Sequence, residues 1–351
     1  MVSVKLLWVH SATVIAGVAL AIGAPESHLV AHNRQTQVTW TTDVEPILSR
    51  RCIGCHSAGG FGPMSLATYQ DAREWAKTIR REVLERRMPP WPAARGFGDF
   101  VNDRSLTPVE VELLTAWADG ATPVGPPVDR SRAPAATGLA RTDFVAMMPA
   151  PREVSALVDR IELPTSLDGD RWVTGWEFRP GNRSIVQQAV LWILAPQRTF
   201  VGAWTPPDGA SHYPAGVAQR LPAGSRLELE LHYRKSAAPE TDRSGVAFRF
   251  GARPHRELRH RTLACDATTI DRDIDALAVT PLATEAGASI EIIARPADGR
   301  VEPLSVVPRY APEYPVTYRF RKAVRLPGGT TIDVRSSAPG CAVELEFVAL
   351  R

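Results

Sequence analysis

The sequence predicts a multi-domain protein in which a small all-α unit is followed by an all-β region of two sandwiches. Three observations carry that expectation. At 351 residues the chain exceeds one ordinary domain. Capped amphipathic segments fall within residues 36–124. Beyond about residue 150, apolar residues come in short, often alternating runs broken by Pro and Gly. With 44% hydrophobic and 23% charged residues the composition is ordinarily globular. A net charge of +3, from arginines scattered along the chain, makes no patch for nucleic acid, and no such partner is expected.

Residues 1–24, "MVSVKLLWVHSATVIAGVALAIGA", place Lys5 ahead of an apolar run with small residues at Ala19 and Ala21. This pattern reads as a signal peptide cleaved near Ala21, or as a retained N-terminal membrane anchor, although His10 and Ser11 interrupt it. Either way the protein is expected to be exported to the periplasm, where thiols are oxidised.

"TTDVEPILSRR" follows as a helix. Asp43 can cap it, Pro46 falls in the first turn, and Val44, Ile47 and Leu48 make an apolar stripe. It runs into "RRCIGCHSAGGFGP", which packs Cys52, Cys55 and His56 into five residues. Three chemistries suit such a cluster: a thiol redox pair, part of a zinc site, or a covalent c-type haem. A redox pair is expected after a strand, at the start of a helix, whereas here a helix precedes it. A zinc site needs a fourth ligand, and no Cys or His lies between His56 and His212. A haem uses every residue. Thiols at i and i+3 add to the two vinyl groups, and the next residue, His56, is held beneath the iron as its proximal ligand. One covalent haem c on Cys52 and Cys55 is therefore expected.

"EWAKTIRREVLERRMPPWPA" begins as a helix with Trp75, Ile79 and Val83 on one face and stops at Pro89 and Pro90. Met88, at that stop, is the expected distal iron ligand. Its alternatives are a gap-filling role in the core for Met88 and ligation by Met64, whose reach from His56 is short. "SLTPVEVELLTAWADGATP" is a third helix. Thr107 caps it, Pro108 opens it, Glu110 completes a capping box, Leu113, Leu114 and Trp117 point inward, and Gly120 ends it. Trp75, Trp91 and Trp117 suit a haem-pocket wall or plain core packing. Residues 125–150 read as a Pro/Ala-rich linker. The strands then divide into sandwiches at 151–258 and 259–351. Cys265 and Cys341 both fall in the last sandwich, where a disulfide or two unpaired buried thiols are the alternatives.

Residues 36–124, through "DVEPILSRRCIGCH", "FGPMSLATYQDAREWAKTIR" and "RMPPWPA", resemble the small cytochrome c domain found at the front of some exported bacterial proteins. From about residue 170 onward, "DRWVTGWEFRPGNRSIVQQAVLWIL", "RLPAGSRLELELHYRKS", "TDRSGVAFRF" and "LSVVPRYAPEYPVTYRFRKAVRLPGGTTIDV" resemble the paired β-sandwiches of copper type II, ascorbate-dependent monooxygenases, the class of peptidylglycine hydroxylating monooxygenase. That resemblance implies two copper sites, and this chain departs from both. An adjacent His pair has become Gln187 and Gln188, while a third position keeps His232. A Pro-His-x-His segment has become "TPLAT", with Leu282 and Thr284 at the ligand positions, and no Met follows Met148 to supply the methionine ligand. His212, His255 and His260 match no ligand position.

Amide and aliphatic side chains do not replace imidazole and thioether at copper, so copper is not expected and monooxygenase activity is expected to be lost. The function implied is electron transfer by a single haem c to or from a redox partner protein, with the β region as a docking or structural module. Two alternatives stay open: an architectural subunit of a membrane electron-transfer complex, and an enzyme that uses the β region for other chemistry.

Overall fold

The computed structural model describes residues 37–128, 138–194 and 197–350. The expected leader, residues 1–24, and the middle of the 125–150 stretch lie outside the described residues. The chain is mostly β, with several sheets preceded by a short helical segment. Among the described residues no helix is long and apolar enough to cross a membrane.

The helical segment comprises α1 (Glu45–Arg51), α2 (Tyr69–Glu74), α3 (Ala76–Leu84) and α4 (Pro108–Asp119). In α4 the capping box forms as the sequence implies. Thr107 Oγ1 accepts the Glu110 N–H at 3.1 Å, and the Glu110 carboxylate accepts the Thr107 N–H at 2.8 Å. The start of α1 differs from expectation. A π-helical turn at Trp40–Val44 already leads into it, and Asp43 Oδ2 reaches back to the Thr39 N–H at 2.8 Å instead of capping α1. Trp75 also departs from its predicted face. It ends α2 and begins α3, so the helical period is broken there and its side chain is 39% exposed. Ile79 and Val83 do point inward, against Trp40, Leu48, Leu114 and Trp117.

Past Met88 the chain leaves the helices for the far sandwich. The Ala94 N–H donates to Val306 O at 2.7 Å, Phe100 bridges Phe320, and Trp91 packs edge-on to Tyr318 at 5.2 Å. Ala93 and Phe100 are buried in that sandwich's core.

Two apolar cores divide the sheets. The first lies between Val158–Pro164, Arg226–Tyr233, Val186–Ile193 and Thr199–Trp204 on one side and Phe144–Met147, Gly245–Gly251, Arg171–Arg179 and Val217–Leu221 on the other. The second lies between Ala267–Thr269, Thr331–Ser336, Ile290–Arg295 and Glu302–Val307 on one side and Arg256–Ala264, Cys341–Ala349, Ile274–Ala283 and Tyr318–Leu326 on the other. One strand joins the halves. Arg256–Ala264 pairs in parallel with Val217–Leu221 through Arg256↔Val217 and Glu257↔Ala218, and antiparallel with Cys341–Ala349. A nine-stranded sheet therefore runs through both sandwiches.

The strand Arg226–Tyr233 illustrates how local sequence sets the faces. Leu227, Leu229, Leu231 and Tyr233 are buried in the first core, so Glu228, Glu230 and His232 alternate to the other side.

Cys265 and Cys341 form a disulfide with Cα atoms 5.8 Å apart, an ordinary spacing, across a sequence separation of 76. Replacing both with Ala should cost roughly 3–5 kcal/mol in the chain-entropy model, read as a lower guanidinium midpoint. In unfolded, unreduced wild-type protein neither thiol should label; labelling of both would remove the bridge from this account.

Candidate functional site

The segment Cys52–His56 continues α1 as a tight turn. Leu48 O accepts the N–H groups of Cys52 and Ile53 at 2.8 and 3.0 Å, and Cys52 O accepts those of Cys55 and His56 at 3.1 and 2.9 Å. Cys52, Cys55 and His56 are thereby held on one turn, with both thiols unbridged. His56 Nδ1 lies 3.2 Å from Met64 O, and no described residue engages Nε2. A backbone carbonyl on one ring nitrogen fixes the tautomer and leaves the other as a ligand atom. Gly62 permits this approach, because a Cβ there would come within 2.5 Å of His56 Nδ1.

Burial pushes the Cys52 thiol up to about 12 and the Cys55 thiol up to about 11, and it lowers the His56 pKa. These are protonated thiols beside a neutral imidazole. A dithiol redox pair needs the opposite, a thiolate stabilised near neutral pH, so the electrostatics argue against that alternative.

Met88 is half-exposed just past α3, with its N–H on Glu82 O at 3.3 Å, so it does not fill a core gap. Met64 packs against the helical core, and its carbonyl stands on the Nδ1 side of His56. Trp117 is fully buried, with Nε1 donating to Pro123 O at 3.1 Å, and Trp91 belongs to the second sandwich. Trp117 thus packs in the helical core and Trp91 against the core of the second sandwich.

The β region covers the motif. A Cβ at Gly54, between the two cysteines, would fall 2.3 Å from Pro207 Cβ, in the turn that follows Thr199–Trp204. Arg234 donates to Phe61 O at 3.0 Å and stands 5.2 Å from the Phe61 ring centroid. Sequence periodicity carried no signal for either contact, since both join segments more than a hundred residues apart.

A second candidate site is a cleft of about 650 Å³ between the sandwiches. Gln187, Gln188 and His232 line one wall, with Leu282 and Thr284 also on its lining. All five positions that the monooxygenase resemblance singled out thus meet in one cleft, and Gln188 and His232 are direct cross-strand partners. Their chemistry does not fit copper. His232 is the sole imidazole among them, and its Nε2 lies 2.8 Å from Glu230 Oε1. Among the described residues no group of three or more His, Cys, Asp or Glu side chains is placed to hold a metal ion. Two arginines of the cleft are paired: Arg160 with Glu230 at 2.7 Å, and Arg198 with Glu228 at 2.6 Å, its guanidinium over the Trp192 ring. Of the remaining histidines, His212 and His255 are exposed. His260 buries both ring nitrogens without a hydrogen bond, and burial lowers its pKa to about 4.

Because Gly54 is set by close approach, Gly54→Val should lever the motif off Pro207. The expected result is faster proteolysis between residues 88 and 138, with the disulfide-bonded sandwich still protected. Unchanged cleavage would mean that the contact is not tight.

No family model matches the chain, and no curated protein matches it. Solved structures similar in part include the major capsid protein P2 from bacteriophage PM2, at 11% identity and TM-score 0.27, covering 59% of this chain and 97% of that one. Oxalate decarboxylase from Bacillus subtilis aligns at 8% identity and TM-score 0.16, covering 57% and 72%. A structure from Sulfolobus turreted icosahedral virus aligns at 12% identity and TM-score 0.15, covering 65% and 100%. These likenesses are too slight to carry a functional argument.

Proposed function

We propose that this protein is an exported monohaem c-type electron carrier in which residues 36–124 carry the cytochrome and the two-sandwich β region serves as its docking and structural module. The observation that supports the reading most directly is the state of His56: Nδ1 is held by Met64 O while Nε2 is left for a metal, beside two unbridged, protonated thiols. The haem, when bound, supplies a one-electron iron couple. Cys52 and Cys55 would anchor it through thioethers, His56 would be the proximal ligand, and Met88 the distal one. The disulfide in the last sandwich is consistent with folding in an oxidising compartment, as export to the periplasm requires. The electron would pass to or from a redox partner protein.

Haem should stay on the chain through denaturing electrophoresis. Met88→Ala should abolish the sulfur-to-iron charge-transfer band of the oxidised protein, and Met64→Ala should leave it. A band lost only with Met64 would reverse the assignment.

The cleft is read as a monooxygenase-like scaffold without its metals. Wild-type protein, stripped by chelation and re-exposed to copper, should show no type II resonance. Gln187→His with Gln188→His, placed beside His232, should create one copper site per chain and no hydroxylase activity. Stoichiometric copper uptake and ascorbate-driven oxygen consumption by the wild type would restore the enzyme alternative.

A further inference from the structure

The contact between the attachment motif and the β region carries a charge pair. Arg104, from the segment that joins the helices to the far sandwich, has a side chain only 17% exposed, with Nε and Nη1 buried and without partners. Its Nη2 lies 3.3 Å from Asp208 Oδ1, and its guanidinium stands 5.9 Å from the Trp91 ring centroid. Asp208 is fixed by its own turn. Its Oδ2 accepts the Thr205 N–H at 2.9 Å and the Thr205 hydroxyl at 3.2 Å, while its carbonyl accepts Trp204 Nε1 at 2.8 Å. The residue before it is Pro207, which packs on Gly54 inside the Cys52–Cys55 loop. One charge comes from the helical side of the molecule and the other from the first sandwich, and both flank the haem-attachment turn.

We propose that the Arg104–Asp208 pair sets the redox potential of the haem, so that the β region is an electrostatic part of the redox centre and not only a passenger or dock. This rests on the haem reading above. The physical reason is that oxidation adds one positive charge at the iron, in a site where burial weakens screening. Arg104 opposes that charge and raises the potential, whereas Asp208 favours it and lowers the potential. Arg104 is the more buried of the two, and two of its nitrogens lack a counter-group, so the balance favours a raised potential. The arrangement also gives the β region a lever. Anything that moves the Thr205–Asp208 turn changes how much of the Arg104 charge is neutralised, and with it the potential.

The test is a spectroelectrochemical titration of the haem-loaded, full-length protein. Arg104→Gln should shift the midpoint to lower potential, Asp208→Asn should shift it to higher potential, and Arg104→Lys should remain nearest the wild type. The sulfur-to-iron band must persist in each variant, which separates an electrostatic shift from a lost ligand. Unmoved midpoints, shifts in the same direction, or a Lys variant that behaves like the Gln variant would overturn the proposal. Should Arg104→Gln fail to fold, the isosteric Asp208→Asn decides alone, upward for the proposal and unmoved or downward against it. A wild-type chain without covalent haem would sink the underlying reading; haem present with unresponsive midpoints would sink only this inference.

Discussion

Arg319 is the residue on which three parts of the molecule converge. Its side chain pairs with Glu346 of the last strand at 2.9 Å and donates to Ser211 Oγ of the first sandwich at 3.1 Å. Its backbone N–H donates to Asn102 Oδ1 at 3.1 Å, and its carbonyl accepts the Val101 N–H at 2.9 Å. Glu346 is 1% exposed, so the pair sits in a medium where an uncompensated charge is very costly. Such a pair contributes little net stability compared with apolar packing, yet removing one partner is strongly destabilising. Its consequence is specificity: Arg319 makes all of these contacts only when the connecting segment from the helices, the first sandwich and the second sandwich are arranged as they are here. The attachment motif meets Pro207, and the cleft keeps its walls, within that arrangement.

The local features of this fold were legible in the chain, and the joints were not. The capping box at Thr107 and Glu110 and the alternation of "RLELELHY" are written in residues a few positions apart, where helix and strand periods act directly. The Cys265–Cys341 bridge was one of the two alternatives that an even remainder of two thiols left open, and the fold chooses it. The exposure of Trp75 was missed because one helix restarts as another there, a break that apolar spacing does not mark. The parallel pairing of Arg256 and Glu257 with Val217 and Ala218 was equally silent. Nothing in those residue types separates an edge strand from one that fuses two sandwiches, since register across a joint is set by tertiary packing.

The same division holds for the site. Cys52, Cys55 and His56 are a sequence motif, and the turn that groups them needs only backbone hydrogen bonds from Leu48 and Cys52. What the β region does to that turn depends on Pro207, Asp208 and Arg234, which carry no recognisable pattern of their own. The resemblance singled out five positions, four of them altered and His232 retained, but only the fold reveals that Gln188 stands directly across from His232 and that Leu282 and Thr284 line the same cleft.

The cleft and the Cys52–His56 turn are not independent surfaces. His232 lines the cleft, and two residues later in the same chain Arg234 clamps Phe61 in the loop after His56. Tyr310, Pro312 and Glu313 line the cleft, and Tyr314, next in sequence, is close enough to Cys55 for the thiol to influence its ionisation. Two short backbone segments thus separate the wall of the cleft from the turn that carries the cysteines. Bulk packing alone would not require both segments to meet that turn. Holding them there keeps the Arg104–Asp208 ion pair beside the turn, where burial weakens the screening of its charges.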